Sequence, residues 1–208
     1  LRTLLAPLPM PVYVIPGNHD ERTALRAAFA ADGYLPVGEF LQYTVDVGPL
    51  RLVALDTLIP GEGGGELCEA RLAWLAETLA LEPQRPTVIL MHHPPFATGI
   101  GHMDAIGLRN ADRFAEVVAR HPHVERVLCG HLHRSIQARV GGTVASVAPS
   151  TAHQVALNLR ADAPSAFKLE PPGFQLHVWR SGQMVSHTAV VGDFPGPYPF
   201  FKDGQLID

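Results

Sequence analysis

Three apolar runs in this chain stop abruptly at short polar clusters. PVYVI (11–15) leads into Gly17-Asn18-His19-Asp20, TVILM (87–91) into His92-His93-Pro94-Pro95, and VERVLC (124–129) into Gly130-His131-Leu132-His133. Runs this short and this apolar suit buried strands of a layered sheet. In an open α/β sheet the loops leaving the C-terminal strand edges converge on one rim, so clusters distant in sequence can meet there. Between the second and third runs, residues 110–120 read as a helix presenting Phe114, Val117 and Val118 to a core. Strand, helix, strand is the local pattern of a layered α/β fold.

The remaining segments fit that frame. Residues 21–30 read as a helix with Leu25 and Phe29 on one face. Residues 42–48 and 51–56 read as a hairpin, and 69–81 as an amphipathic helix with a Leu72, Leu75, Leu79 stripe beside Trp74. The glycine run 61–65 reads as a mobile surface loop. Residues 96–108 read either as a plain loop or as one flanking the substrate pocket, with His102 or Asp104 available to meet a ligand. Beyond Gly130, residues 136–140, 144–147, 154–159, 175–179 and 185–191 read as mostly antiparallel strands. One domain is expected over 1–194, followed by a tail (195–208) too rich in proline and glycine for helix or strand.

Composition narrows the partners. The formal charge is -4 with eleven histidines neutral, and no basic block appears, so no extended nucleic acid is expected. Metal ions can still bring a phosphate to a negative protein. Cys68 and Cys129 lie in different predicted elements and are expected as free thiols. No stretch reads as a membrane span or signal peptide, which sets a cytoplasmic location and no membrane partner as the expectation. Tyr198, Phe200 and Phe201 suit either a pocket cover, a tail anchor or a homo-oligomer contact.

Imidazole nitrogens with amide or carboxylate oxygens suit borderline divalent ions such as Zn, Mn, Fe and Co. On an extended backbone His131 and His133 would project to the same side, where they can bind one ion or two neighbouring ones.

GNHD, MHHPP and GHLH resemble, in the expected order, the later motifs of the calcineurin-like metallophosphoesterases, and the likeness covers about residues 12–190. MHHPP, CGHLH and the later STAHQV are together similar to the bacterial glycerophosphodiesterase and class III cyclic-nucleotide phosphodiesterase subgroup. The resemblance implies a four-layer α/β/β/α sandwich holding two divalent metal ions (Mn, Fe, Zn or Co). It implies Asn18, His92 and His131 as ligands of the second ion and His133 as a ligand of the first. It implies that His19 contacts phosphate and assists the leaving oxygen, with Asp20 either orienting His19 or capping the next helix. His153 is a further substrate-side candidate or a strand-edge hydrogen-bond partner, His93 a substrate contact or a hydrogen bond within the rim, and the Asn18 amide can also contact phosphate.

The implied reaction is hydrolysis of a small phosphodiester, with a metal-bridging hydroxide attacking phosphorus in line. The family's DxH and GD motifs, which carry the bridging aspartate and two further ligands, do not precede PGNHD in this chain. The chain therefore reads as the N-terminally truncated, C-terminal portion of the domain, and the 208 residues alone are expected to be weakly active or inactive. Phosphomonoester or nucleotide hydrolysis on the same fold remains an alternative, because ligands do not fix substrate. So does a noncatalytic metal-binding or structural role.

Overall fold

The computed structural model describes residues 1–206. Eight strands and three helices position the site: α1 (Arg22–Ala28), β1 (Tyr43–Val47), β2 (Leu50–Ala54), α2 (Glu69–Leu81), β3 (Thr87–Met91), α3 (Ala111–Ala119), β4 (Val124–Cys129), β5 (Ile136–Val140), β6 (Thr143–Val147), β7 (Gly173–Arg180) and β8 (Gln183–Val190). The main sheet has the order β1-β2-β3-β4-β6-β5. Its four central strands run parallel, and the edge strands β1 and β5 return antiparallel as hairpin arms.

Alternation along the strands explains the layering. Ile89 and Met91 of β3, Val53 of β2 and Val127 and Cys129 of β4 join one core with Leu72, Leu75 and Leu79 of α2 and Phe114 and Val118 of α3. Residues of the other parity, Leu50, Val88 and Leu128, pack against Met184 and Trp179 of the β7–β8 hairpin. A strand buried on both faces must be apolar throughout, which is why TVILM carries almost no polar residue. The mixed α/β sandwich expected from the sequence is thus observed as a helical layer, a six-stranded sheet and a second β layer. A smaller cluster of Leu25, Phe29 and Leu41 seats α1.

Several local expectations change. PVYVI joins no ladder; instead the Val14 N–H donates to the Tyr34 hydroxyl at 3.0 Å and the Tyr43 hydroxyl donates to the Val14 carbonyl at 2.7 Å. Side chains there satisfy the backbone that a neighbouring strand would otherwise satisfy. The helix expected over 21–30 ends at Ala28 and gives way to a 3-10 turn, Ala30–Asp32, closed by Gly33 at φ 71. The strand expected over 154–159 contracts to Gln154–Val155, and the 96–108 loop contains a helical turn, Gly101–Asp104. In the tail, Phe201–Lys202 pairs with Gln205–Leu206, against the expectation of no regular element; the tail's last two residues lie outside the described ones.

The glycine run is also not a bare surface loop. Gly65 is buried in a short parallel pairing with Leu108, and a Cβ there would fall 2.2 Å from the His93 ring. Glycine is needed because an imidazole occupies the space.

Phe114, fully buried between α3 and the sheet, is the clearest test of this packing. Phe114→Ala is expected to cost about 3–5 kcal/mol by urea denaturation with an unchanged m-value, whereas half-buried Val117→Ala should cost about 1 kcal/mol.

Candidate metal centre

β3 and β4 are parallel neighbours whose last paired residues are Met91 and Cys129. His92 and Gly130 therefore leave the sheet side by side, joined by a Gly130 N–H that donates to the His92 carbonyl at 3.0 Å. The GNHD turn closes over them, with the Gly17 N–H donating to Asp20 Oδ2 at 2.8 Å. Gly17 sits so close that a Cβ there would lie 2.8 Å from the His92 ring. At the next strand end, the segment after β6 brings in His153.

These segments enclose a cleft of about 270 Å³ lined by Asn18, His19, Asp20, His92, His131, His133 and His153, with Met103, Ile106 and Val155 as its apolar wall. Within it His92 Nε2 lies 2.9 Å from Asn18 Oδ1. The His92 and His131 ring centroids are 5.1 Å apart, and His133 Nδ1 lies 3.2 Å from His153 Nε2. A larger cavity of about 500 Å³ lies beyond Ile106; Asp104 and part of the 96–108 segment line it, but neither Asn18 nor any of the candidate histidines does. The chemistry therefore belongs to the smaller cleft.

The donor set fits a divalent ion. Two donors each about 2.0–2.1 Å from one ion and near a right angle lie roughly 2.9 Å apart, the observed Asn18–His92 separation. The His131 Nε2–H donates to the Ile106 carbonyl at 3.2 Å, which leaves the lone pair on Nδ1 and orients the ring as metal-binding histidines are commonly oriented. Burial, reinforced by the neighbouring His93 and His131, pushes the His92 imidazole down to about 2, and burial with His93 pushes His131 down to about 4. Both rings are consequently neutral at neutral pH, with lone pairs available. Burial also lowers His133, to which the His153 ring adds.

The backbone departs from the extended form expected at GHLH. His131 and His133 adopt φ 68 and φ 51, in the left-handed region. Non-glycine residues held there are strained, and such strain gathers at functional sites. Both rings nevertheless line the one cleft.

His93 departs from the expected substrate contact. It is fully buried; its Nε2–H donates to the Gly63 carbonyl at 3.1 Å, and its Nδ1 accepts from the Thr57 hydroxyl at 2.9 Å. The donor nitrogens of His92, His93 and His131 lie within 4.8 Å of one another, yet His93 has no lone pair left for an ion. Asp20 fills neither expected role. Glu21 caps α1 through Thr23 and Ala24, while Asp20 holds the Gly17 N–H. Asp104 is spent on its own loop, accepting from the Thr98 N–H and hydroxyl and the Gly99 N–H. Cys68 and Cys129 are free, and no helix among the described residues is long and apolar enough to cross a membrane.

Sequence reasoning passed over Arg22, Asp56 and Thr57. Asp56 is fully buried, and it accepts from Arg22 Nε at 2.6 Å and Nη2 at 2.9 Å and from the Leu41 N–H at 2.8 Å. The signal was present: Asp56-Thr57 follows the apolar RLVAL as directly as the three histidine clusters follow their strands.

Comparison with known proteins agrees with this geometry. Residues 1–135 match the family described as calcineurin-like phosphoesterase. The chain is 39% identical over 204 residues to a probable glycerophosphodiester phosphodiesterase of Arcobacter nitrofigilis, covering 97% of this chain and 75% of that protein. It is 38% identical over 210 residues to a probable cyclic nucleotide phosphodiesterase of Rhodopseudomonas palustris, covering 100% of this chain and 73% of that one. A dimetal phosphatase of Danio rerio shares the fold at a TM-score of 0.57 and 15% identity, with 88% of this chain and 74% of that chain covered. The chain belongs to the calcineurin-like phosphoesterase family.

Proposed function

We propose that this chain supplies one ligand group and the substrate face of a dinuclear metal centre that hydrolyses small phosphodiesters. The observation that carries this reading is the convergence of Asn18, His92 and His131 beside His19, His133 and His153 in one cleft. Asn18, His92 and His131 would hold one ion, and His133 would be a ligand of the other. Bound ions would activate water and neutralise charge on the phosphoryl oxygens. His19, exposed at the cleft mouth, contacts the phosphate and protonates or hydrogen-bonds the leaving alkoxide oxygen. His153, paired with His133, is a further substrate contact in the same cleft. Met103, Ile106 and Val155 exclude water from one side of the reacting group.

Glycerophosphodiesters and 3',5'-cyclic nucleotides are the substrate classes this reading favours, in keeping with the names of the two bacterial relatives. A cytoplasmic setting fits two free thiols, and a net charge of -4 fits a small substrate better than extended nucleic acid.

The 208-residue chain is expected to bind about one Mn²⁺ or Co²⁺ by titration calorimetry, and Asn18→Ala or His131→Ala should weaken that binding by more than about 100-fold. Wild-type affinity surviving either substitution would sink the ligand assignment. With metal bound, bis(p-nitrophenyl) phosphate should turn over faster than p-nitrophenyl phosphate. The reverse preference would point to monoester hydrolysis.

Metal affinity should also resist acid. An ordinary imidazole near 6.5 loses about tenfold in affinity per pH unit below that value, because protons compete for its lone pair. With His92 depressed to about 2 and His131 to about 4, both stay unprotonated, so Co²⁺ affinity should be nearly flat between pH 7.5 and pH 6. A steep decline over that interval would contradict the buried, neutral arrangement.

A further inference from the structure

We propose that Asp56 and Thr57 are positioning residues: the corner they form after β2 sets the placement of the GNHD turn relative to the paired histidines. This rests on the metal reading above and extends it to residues that touch neither ion nor substrate. Asp56 faces the GNHD side. Its carboxylate takes the bidentate pair from Arg22, the first residue of α1 and four residues beyond Asn18. The same guanidinium donates to the Leu58 carbonyl at 2.7 Å, and the Leu58 N–H returns to Asp56 Oδ1 at 3.0 Å. From α2, Arg71 donates to the Asp56 and Leu58 carbonyls at 3.0 and 3.3 Å.

Thr57 faces the histidine side. Its hydroxyl donates to His93 Nδ1, which fixes the tautomer in which the Nε2–H is given to Gly63. The His93 ring is held from a third direction by Gly65, where no Cβ can fit. Its remaining faces meet the site: the His131 centroid lies 4.4 Å away and the His92 centroid 4.8 Å away. One dipeptide thus grips α1, which follows Asn18, and the imidazole against which His92 and His131 rest.

A purely structural corner would not need this chemistry. Removing a carboxylate and a guanidinium from water costs several kcal/mol per ion, and a well-packed apolar pair would hold two elements together as firmly. What the polar pair adds is direction. A bidentate fork and a tautomer-specific hydrogen bond fix orientation as well as contact. Partners of this kind, set behind metal ligands, commonly change metal affinity about 10–100-fold when removed.

The test uses the 208-residue chain, with Co²⁺ as the probe and nitrogen-detected NMR of the histidine rings in the metal-free protein. Thr57→Val removes the hydroxyl at similar size, and Thr57→Ser restores it. Thr57→Val is expected to weaken Co²⁺ binding about 10–100-fold and to shift the His92 and His131 ring resonances together with those of His93, while Thr57→Ser stays near wild type. Arg22→Lys keeps the charge but gives up the fork, and should displace the Asn18 side-chain amide signals. The positioning role is overturned if Thr57→Val lowers thermal stability while leaving Co²⁺ affinity and the His92 and His131 resonances unchanged. A wild-type chain that binds no Co²⁺ would sink the metal reading instead, and the ring and amide resonances of the variants would then decide the positioning claim alone.

Discussion

The parallel pairing of β3 with β4 is the constraint on which the rest of the site depends. With Met91 opposite Cys129, the two strands end at the same level, and their next residues emerge as neighbours. A slip of one residue would turn every β3 side chain to the opposite face of the sheet and part the His92 carbonyl from the Gly130 N–H that now meets it. The register is protected by burial on both sides. Ile89, Met91 and Val127 face the helices while Val88 and Leu128 face the hairpin, so any slip would unpack two cores at once.

Around that pairing the molecule assembles a group of imidazoles that water would otherwise separate. Burial keeps His92, His93 and His131 neutral, which removes mutual repulsion and leaves nitrogen lone pairs in place of charge. The strained φ values at His131 and His133 are held by contacts from elsewhere, among them the Ile106 carbonyl and the His153 ring. Glycines 17 and 65 complete the packing by being small. Organising the site before any ligand arrives lowers the entropy that binding must overcome.

Much of this was legible from residue order. The α2 boundaries, the β3 and β4 runs, the β1–β2 hairpin and the clusters that line the cleft all follow from periodicity and from polar residues placed after apolar strands. Other features were not. The PVYVI run has strand composition but is bonded by Tyr34 and Tyr43, which are distant in sequence. Local propensity cannot report which partner satisfies a backbone group. For His93 the sequence left a substrate contact and a hydrogen bond within the rim both open, since local spacing does not report which partner a side chain turns to.

By itself the sequence determined which atoms were on offer: amide oxygen, imidazole nitrogens, and apolar strands short enough to deliver them to one edge. Only the tertiary structure decided which of them meet. It separated His92, at the cleft, from His93, locked behind it by Thr57 and Gly63. It also assigned Asp20 to the turn and the helix cap to Glu21. The physical reason is that hydrogen-bond allocation among buried groups depends on distances across the fold, and sequence spacing constrains those distances only within a single element.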